Sequence, residues 1–228
     1  MSIESSKTLG GVGAILLLIG LLPVISTYTF GVIGLVGLIL VLIALYRLAN
    51  FYNEKGIFNN AIYGVITGIV GAVITGIVAV IAILASLTSL ENFLVQIYPG
   101  WTRGDWASLS GMTPTIPSNI DYSPLASFLA AIIAVFVVFI IFAIVATYFF
   151  RRSLKQLSAK STVGLFSTAG LILFIGAFLL ILLIIPGLIV MWIAVLILAI
   201  AFFQMKPQPE QPPMATATSP PPSTPTPV

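Results

Sequence analysis

Few side chains in this sequence of 228 residues could carry chemistry. Cysteine and histidine are absent, which removes the thiolate nucleophile, any disulfide framework, the commonest metal ligand and the usual general base near neutral pH. The six Asp and Glu residues fall at no spacing that pairs two carboxylates for acid and base work. Ser86, Ser89 and Ser153 have neither a histidine partner nor a nucleophile-elbow setting. No catalytic residue, cofactor or metal ligand is therefore assigned, and the chain is not expected to be an enzyme. What remains is hydroxyls and cations. Thr67, Thr75 and Thr147, with backbone carbonyls, could line a passage for an ion or an uncharged solute. Arg151, Arg152, Lys155 and Lys160 form the densest positive cluster and would attract anionic lipid at about 1 kcal/mol per cation. Nine Lys and Arg against six Asp and Glu are too few and too scattered for a nucleic-acid footprint.

The elements that hold these groups are membrane helices. Hydrophobic residues make up 59% of the chain, charged residues 7%, and the mean hydropathy is +1.18, whereas a soluble domain has about 25% charged residues. The fold class expected is all-α, a polytopic α-helical membrane protein. A six-helix transmembrane domain covers residues 1–205, with helices at 9–25, 30–48, 61–88, 125–150, 163–185 and 188–204 and an outer loop at 89–124. The apolar run from 163 to 204 is split because one helix of that length would be about 60 Å, twice the bilayer core. Pro186-Gly187 is the expected turn. Residues 206–228 are low-complexity and proline-rich, which predicts a disordered cytoplasmic tail with polyproline II character.

Residues 61–87 organise the rest. At about 100° per residue, Gly64, Gly68, Ala72 and Gly76 form one stripe and Thr67, Gly71, Thr75 and Ala79 its neighbour. Small faces of this kind let helices approach closely in lipid, so this helix is expected to be the hub of the bundle, its small residues serving packing within the chain or contact with a second copy. Gly31, Gly34 and Gly37 give the second helix a small face as well, and Ala126, Ala130 and Ala134 are expected to set the fourth helix against the hub. Asn59 or Asn60 is the expected N-cap of the third helix.

Charge sidedness tests the span count. Six spans with the amino terminus inside place Lys7, Arg47, Lys55, Arg151, Arg152, Lys155, Lys160 and Lys206 in the cytoplasm, eight of the nine cations, and only Arg103 outside. That asymmetry follows the positive-inside rule and puts both termini in the cytoplasm of a multi-pass cell-membrane protein. Tyr98, Trp101, Trp106 and Tyr122 in the outer loop read as interfacial anchors, and Arg103 is expected to pair with Asp105. LGGVGAILLLIG at 9–20 aligns without gaps against LFSTAGLILFIG at 165–176, and both stretches begin a helical hairpin.

The segments SKTLGGVGAILLLIG, FYNEKGIFNNAIYGVITGIVG, FFRRSLKQLSAKSTVGLFSTAGLILFIGA and WIAVLILAIAFF, in this order, resemble the archaeal multi-pass membrane family known as domain of unknown function 996. The resemblance covers most of residues 5–203, outside the outer loop and the tail. It implies an archaeal cell-membrane protein and brings no reaction, substrate or catalytic residue. Two functions stand as expectations. One is a structural or interaction protein that contacts the lipid bilayer, a second copy or a membrane partner protein. The other is a small channel or transporter. The predicted helix cores contain no Asp, Glu, Lys, Arg or His, which argues against a proton-coupled carrier.

Overall fold

The computed structural model describes residues 3–20 and 27–206. The expected proline-rich tail and the exit of the first helix lie outside the described residues. Six α-helices follow one another: α1 (Ile3–Gly20), α2 (Thr27–Phe51), α3 (Lys55–Ile97), α4 (Ser123–Ser161), α5 (Leu165–Leu182) and α6 (Ile184–Phe203). All six are long and apolar enough to cross a membrane, and no strand occurs among the described residues.

The helices alternate in direction, and their packing closes a circuit: α3 on α4, α4 on α5, α5 on α6, α6 on α1, α1 on α2, and α2 on the start of α3. Glycine sets how closely they approach. A Cβ on Gly37 of α2 would fall 2.5 Å from the Leu17 nitrogen of α1. One on Gly187 of α6 would fall 2.8 Å from the Leu180 nitrogen of α5. Both contacts are backbone on backbone, so no side chain can move aside. The two hairpins that share the aligned stretches are thus built alike, with Gly20 near Gly34 and Gly176 near Met191. Between them the Trp192 indole donates to the Leu18 carbonyl at 3.3 Å.

The core sits at the end where α1, α3 and α5 begin and α2, α4 and α6 finish. Leu45, Leu48, Ile57, Leu157, Phe166 and Phe202 are fully buried there, with Phe166 and Phe202 edge to face at 5.1 Å. The eight cations Lys7, Arg47, Lys55, Arg151, Arg152, Lys155, Lys160 and Lys206 all belong to this end of the helices, and Arg103 lies in the connection at the other end. We call them the basic end and the loop end.

Several boundaries differ from the sequence reading. The basic stretch RRSLKQLSAKS is not a turn: it is the last part of α4, because Leu154 and Leu157 are buried and keep the helix docked beyond its apolar part. The third helix starts at Lys55, with Glu54 at the N-cap position, so Asn60 lies inside the helix. The α2–α3 turn uses Asn53 at φ 51°, a left-handed conformation that asparagine tolerates, and the Glu54 amide closes it on the Ala49 carbonyl at 2.8 Å. The helix also outlasts Glu91 and continues to Ile97. The break in the long apolar run falls at Leu183, which takes an extended conformation. Pro186 then sits in the first turn of α6, where a missing amide costs no helical hydrogen bond.

α3 is not a hub. It packs along α4, and only its first turns meet α2. The reason is length. α5 passes α4 where Gly170 meets Arg151; from there α5 runs about 18 Å to Leu182, whereas α4 runs about 42 Å back to Ser123. The α3–α4 hairpin therefore overhangs the end of α5 by more than 20 Å, and among the described residues no other helix packs along it there.

Candidate functional site

The eight small residues of α3 divide between two surroundings. Gly64 lies under Phe150 of α4, where a Cβ would come within 2.8 Å of the ring, and Gly71 lies under Phe142. Thr67 is half-buried between them. One turn further, Thr75 and Ala79 face α4 across an apolar groove of about 420 Å³, whose far wall includes Phe128, Ala131, Val135 and Phe139. Beyond Gly64, the other stripe meets no partner among the described residues. Gly68, Ala72 and Gly76 are exposed, and a Cβ on Gly68 or Gly76 would meet nothing within 4 Å. Ala126, Ala130 and Ala134 are exposed too, so the residues of α4 that line the groove are not the alanine stripe read from the sequence.

Hydroxyls in this hairpin are handled differently. Ser86 donates to Ala82 at 2.6 Å and Thr147 to Ala143 at 2.8 Å, each returning to a carbonyl one turn back. Thr75 Oγ1 is buried and finds no hydrogen-bond partner among the described residues.

At the basic end a polar clasp joins α3 to α4. Ser153 Oγ donates to the Ile57 carbonyl at 2.6 Å, and Asn60 Nδ2 donates to the Gly56 carbonyl at 2.6 Å and to Gln156 Oε1 at 3.1 Å. Ser153 is fully buried. Sequence reasoning passed over Gln156 and gave Asn60 a capping role. The available signal was the spacing of Ser153 and Gln156 beside Leu154 and Leu157, which gives that face of α4 both a polar and an apolar inward edge. Outside the clasp lie the four cations of the cluster. Lys160 pairs with Glu54 at 3.6 Å, the one ion pair among the described residues. The Arg151 guanidinium stands 5.1 Å over the Phe174 ring of α5, a cation–π contact. Arg152 and Lys155 are exposed and, with Arg151 and Tyr148, line an open pocket of about 300 Å³.

At the loop end the aromatic residues do not act alike. Trp101 is buried at 5% exposure, donates its indole N–H to the Asp105 carbonyl at 2.7 Å and packs 5.2 Å from Trp106. Tyr98 is half-buried and follows the last turn of α3, with its amide on Leu94. Trp106 and Tyr122 remain exposed. Arg103 does not pair with Asp105; it donates to Asn92 Oδ1 at 2.7 Å, tying the loop back to α3. Asp121 accepts from the Ser123 amide at 2.9 Å and the Ser123 hydroxyl at 3.0 Å. Those bonds favour the charged form and hold its carboxyl below the ordinary carboxylate value.

No group of three or more Asp and Glu residues close enough to hold a metal occurs among the described residues. Two features stand out among the described residues: the overhanging hairpin and the cations of the basic end. Residues 33–196 match the family model described as Protein of unknown function (DUF996). The chain is also similar to Uncharacterized protein MJ1644 of Methanocaldococcus jannaschii, 27% identical over 205 residues that cover 90% of this chain and 94% of that protein. No solved structure matches.

Proposed function

The chain belongs to this family of unknown function, DUF996, and we propose that it is an integral membrane protein serving as a structural or interaction protein, an accessory subunit of a membrane assembly. The observation that carries this reading is the stripe Gly68, Ala72 and Gly76 of α3, exposed and unopposed among the described residues, which leads into the overhang of the α3–α4 hairpin. In lipid there is no hydrophobic drive between helices, and association depends on close backbone approach at small residues. A glycine stripe with no neighbour among the described residues is suited to a helix from another chain. The inert interior agrees with this role, since no Asp, Glu, Lys, Arg or His occurs in α3 between Lys55 and Glu91 or in α4 before Arg151. The cations at the basic end orient the protein with that end, and both termini, in the cytoplasm.

The test is native mass spectrometry of the tagged protein extracted gently from its own membranes. A stoichiometric partner chain or second copy is expected, and it should be lost in a Gly68→Leu, Gly76→Leu double variant that still folds. Retention of the partner by that variant would remove the hairpin face from the account.

A small channel or transporter for an ion or uncharged solute is the second reading, favoured by the unpartnered Thr75 hydroxyl beside the groove. The rest of the lining is apolar apart from Ser86, whose hydroxyl is already bonded to its own helix. Solute flux into liposomes above the empty-liposome rate, abolished by Thr75→Val, would favour passage over accessory function.

A further inference from the structure

We propose that Tyr148, Arg151, Arg152 and Lys155 form a binding site for the phosphate headgroup of an anionic phospholipid, whose chains run along the exposed face of α4 towards the loop end. The inference goes beyond the accessory role and rests on the reading that the helices lie in a membrane.

Charge is the first argument. Three cations lie within five positions of one helix, and none has a carboxylate partner among the described residues, where the only ion pair is Lys160 with Glu54. Like charges three and four positions apart on a helix repel, so an anion between them relieves a cost the fold otherwise carries. The second argument is position. Arg151 is held by its stacking on Phe174, Tyr148 by its ring 6.3 Å from the same Phe174, and the two flank the 300 Å³ pocket together with Arg152 and Lys155. A guanidinium presents a planar fork of donors that matches phosphate oxygens, and a lysine ammonium adds a point charge.

The third argument selects a lipid over free phosphate. Going from Lys155 towards the loop end at steps of three and four, the exposed residues of α4 are Arg152, Tyr148, Val145, Ile141 and Val137. That one face passes from cation to aromatic to aliphatic, the same order as a phospholipid from headgroup to acyl chain. A soluble anion would use only the first part of it.

The experiment uses the full-length protein, stripped of lipid in a non-ionic detergent and titrated with phosphatidylglycerol or phosphatidylcholine, with bound lipid counted by native mass spectrometry. Phosphatidylglycerol is expected to bind more tightly than phosphatidylcholine. Arg152→Gln with Lys155→Gln should weaken it roughly thirtyfold, the equivalent of two cations near a lipid headgroup, while Lys7→Gln with Lys206→Gln leaves it unchanged. Both residues of the first pair are exposed, so helical content and melting temperature should not move. Equal binding of the two lipids, or equal loss in the two double variants, would overturn the site in favour of diffuse attraction to the basic end. Displacement of phosphatidylglycerol by millimolar glycerol 1-phosphate would overturn the lipid assignment in favour of a soluble phosphate ligand. Partner retention is read in the same spectra and concerns the Gly68–Gly76 face, so a failure here is separate from a failure of the accessory reading.

Discussion

Gly68 and Gly71 are three positions apart on α3 and have opposite surroundings: a Cβ on Gly71 runs into Phe142, and one on Gly68 meets open space. Leucine at 71 should therefore destabilise the isolated protein by about 1–3 kcal/mol through overpacking. Leucine at 68 should stay within about 0.5 kcal/mol. Melting temperatures in detergent separate the two, and equal effects would mean that α3 is rotated relative to this description. Ser153 gives a second residue-scale prediction. Its buried hydroxyl bonds the Ile57 carbonyl across helices, so Ser153→Ala should cost about 1 kcal/mol, read by the same melt. Asp121 gives a pH prediction. Its carboxyl is held below the ordinary value by the Ser123 amide and hydroxyl, so its contribution is full above the unfolded carboxylate pKa and is lost as pH falls through the lower, folded one. Amide exchange at the start of α4 should accelerate only on acidification below the ordinary carboxylate range, and Asp121→Asn should abolish that dependence. The small residues were legible in the sequence as a class. Their partners were not, because a helical period fixes which residues share a face and leaves open what stands opposite.

At the scale of elements, six helices were legible because apolar runs of membrane-spanning length were separated by polar or proline-glycine signals. The ends were less so. Hydropathy falls at Phe150, yet α4 continues to Ser161, because Arg, Lys, Gln, Leu and Ala are good helix formers and Leu154 and Leu157 are buried against the bundle. Truncating Leu157 to alanine should cost about 2–5 kcal/mol as a core cavity, an effect that a loop residue would not produce. Pro186 marked a break in the sequence, and the break came three residues earlier, since proline is accommodated in a first helical turn. Hairpin contacts give a further expectation. Gly37→Leu should prevent α1 and α2 from closing, because Leu17 and Gly13 meet it through backbone atoms. Gly31→Leu, with no neighbour within 4 Å, should leave folding intact. Accumulation of folded protein, followed by size-exclusion profile, distinguishes these outcomes.

At the scale of the whole molecule, two asymmetries define the account: cations gathered at one end, and a helical hairpin overhanging its neighbours at the other. The first was visible in the sequence, since it needs only the order of spans and charges. The overhang was hidden, because it depends on how far α3 and α4 continue past the turn between α5 and α6. If the cationic end faces the cytoplasm, a carboxyl-terminal tag should resist protease added to intact cells, and its cleavage would reverse the orientation. The accessory role depends most on the exposed Gly68, Ala72 and Gly76 stripe of α3. Its most direct test is native mass spectrometry of wild-type protein and the Gly68→Leu, Gly76→Leu variant, each extracted from its own membranes. The account expects a stoichiometric partner on the wild type and its loss from a folded variant. A wild-type protein recovered as a bare monomer would contradict it.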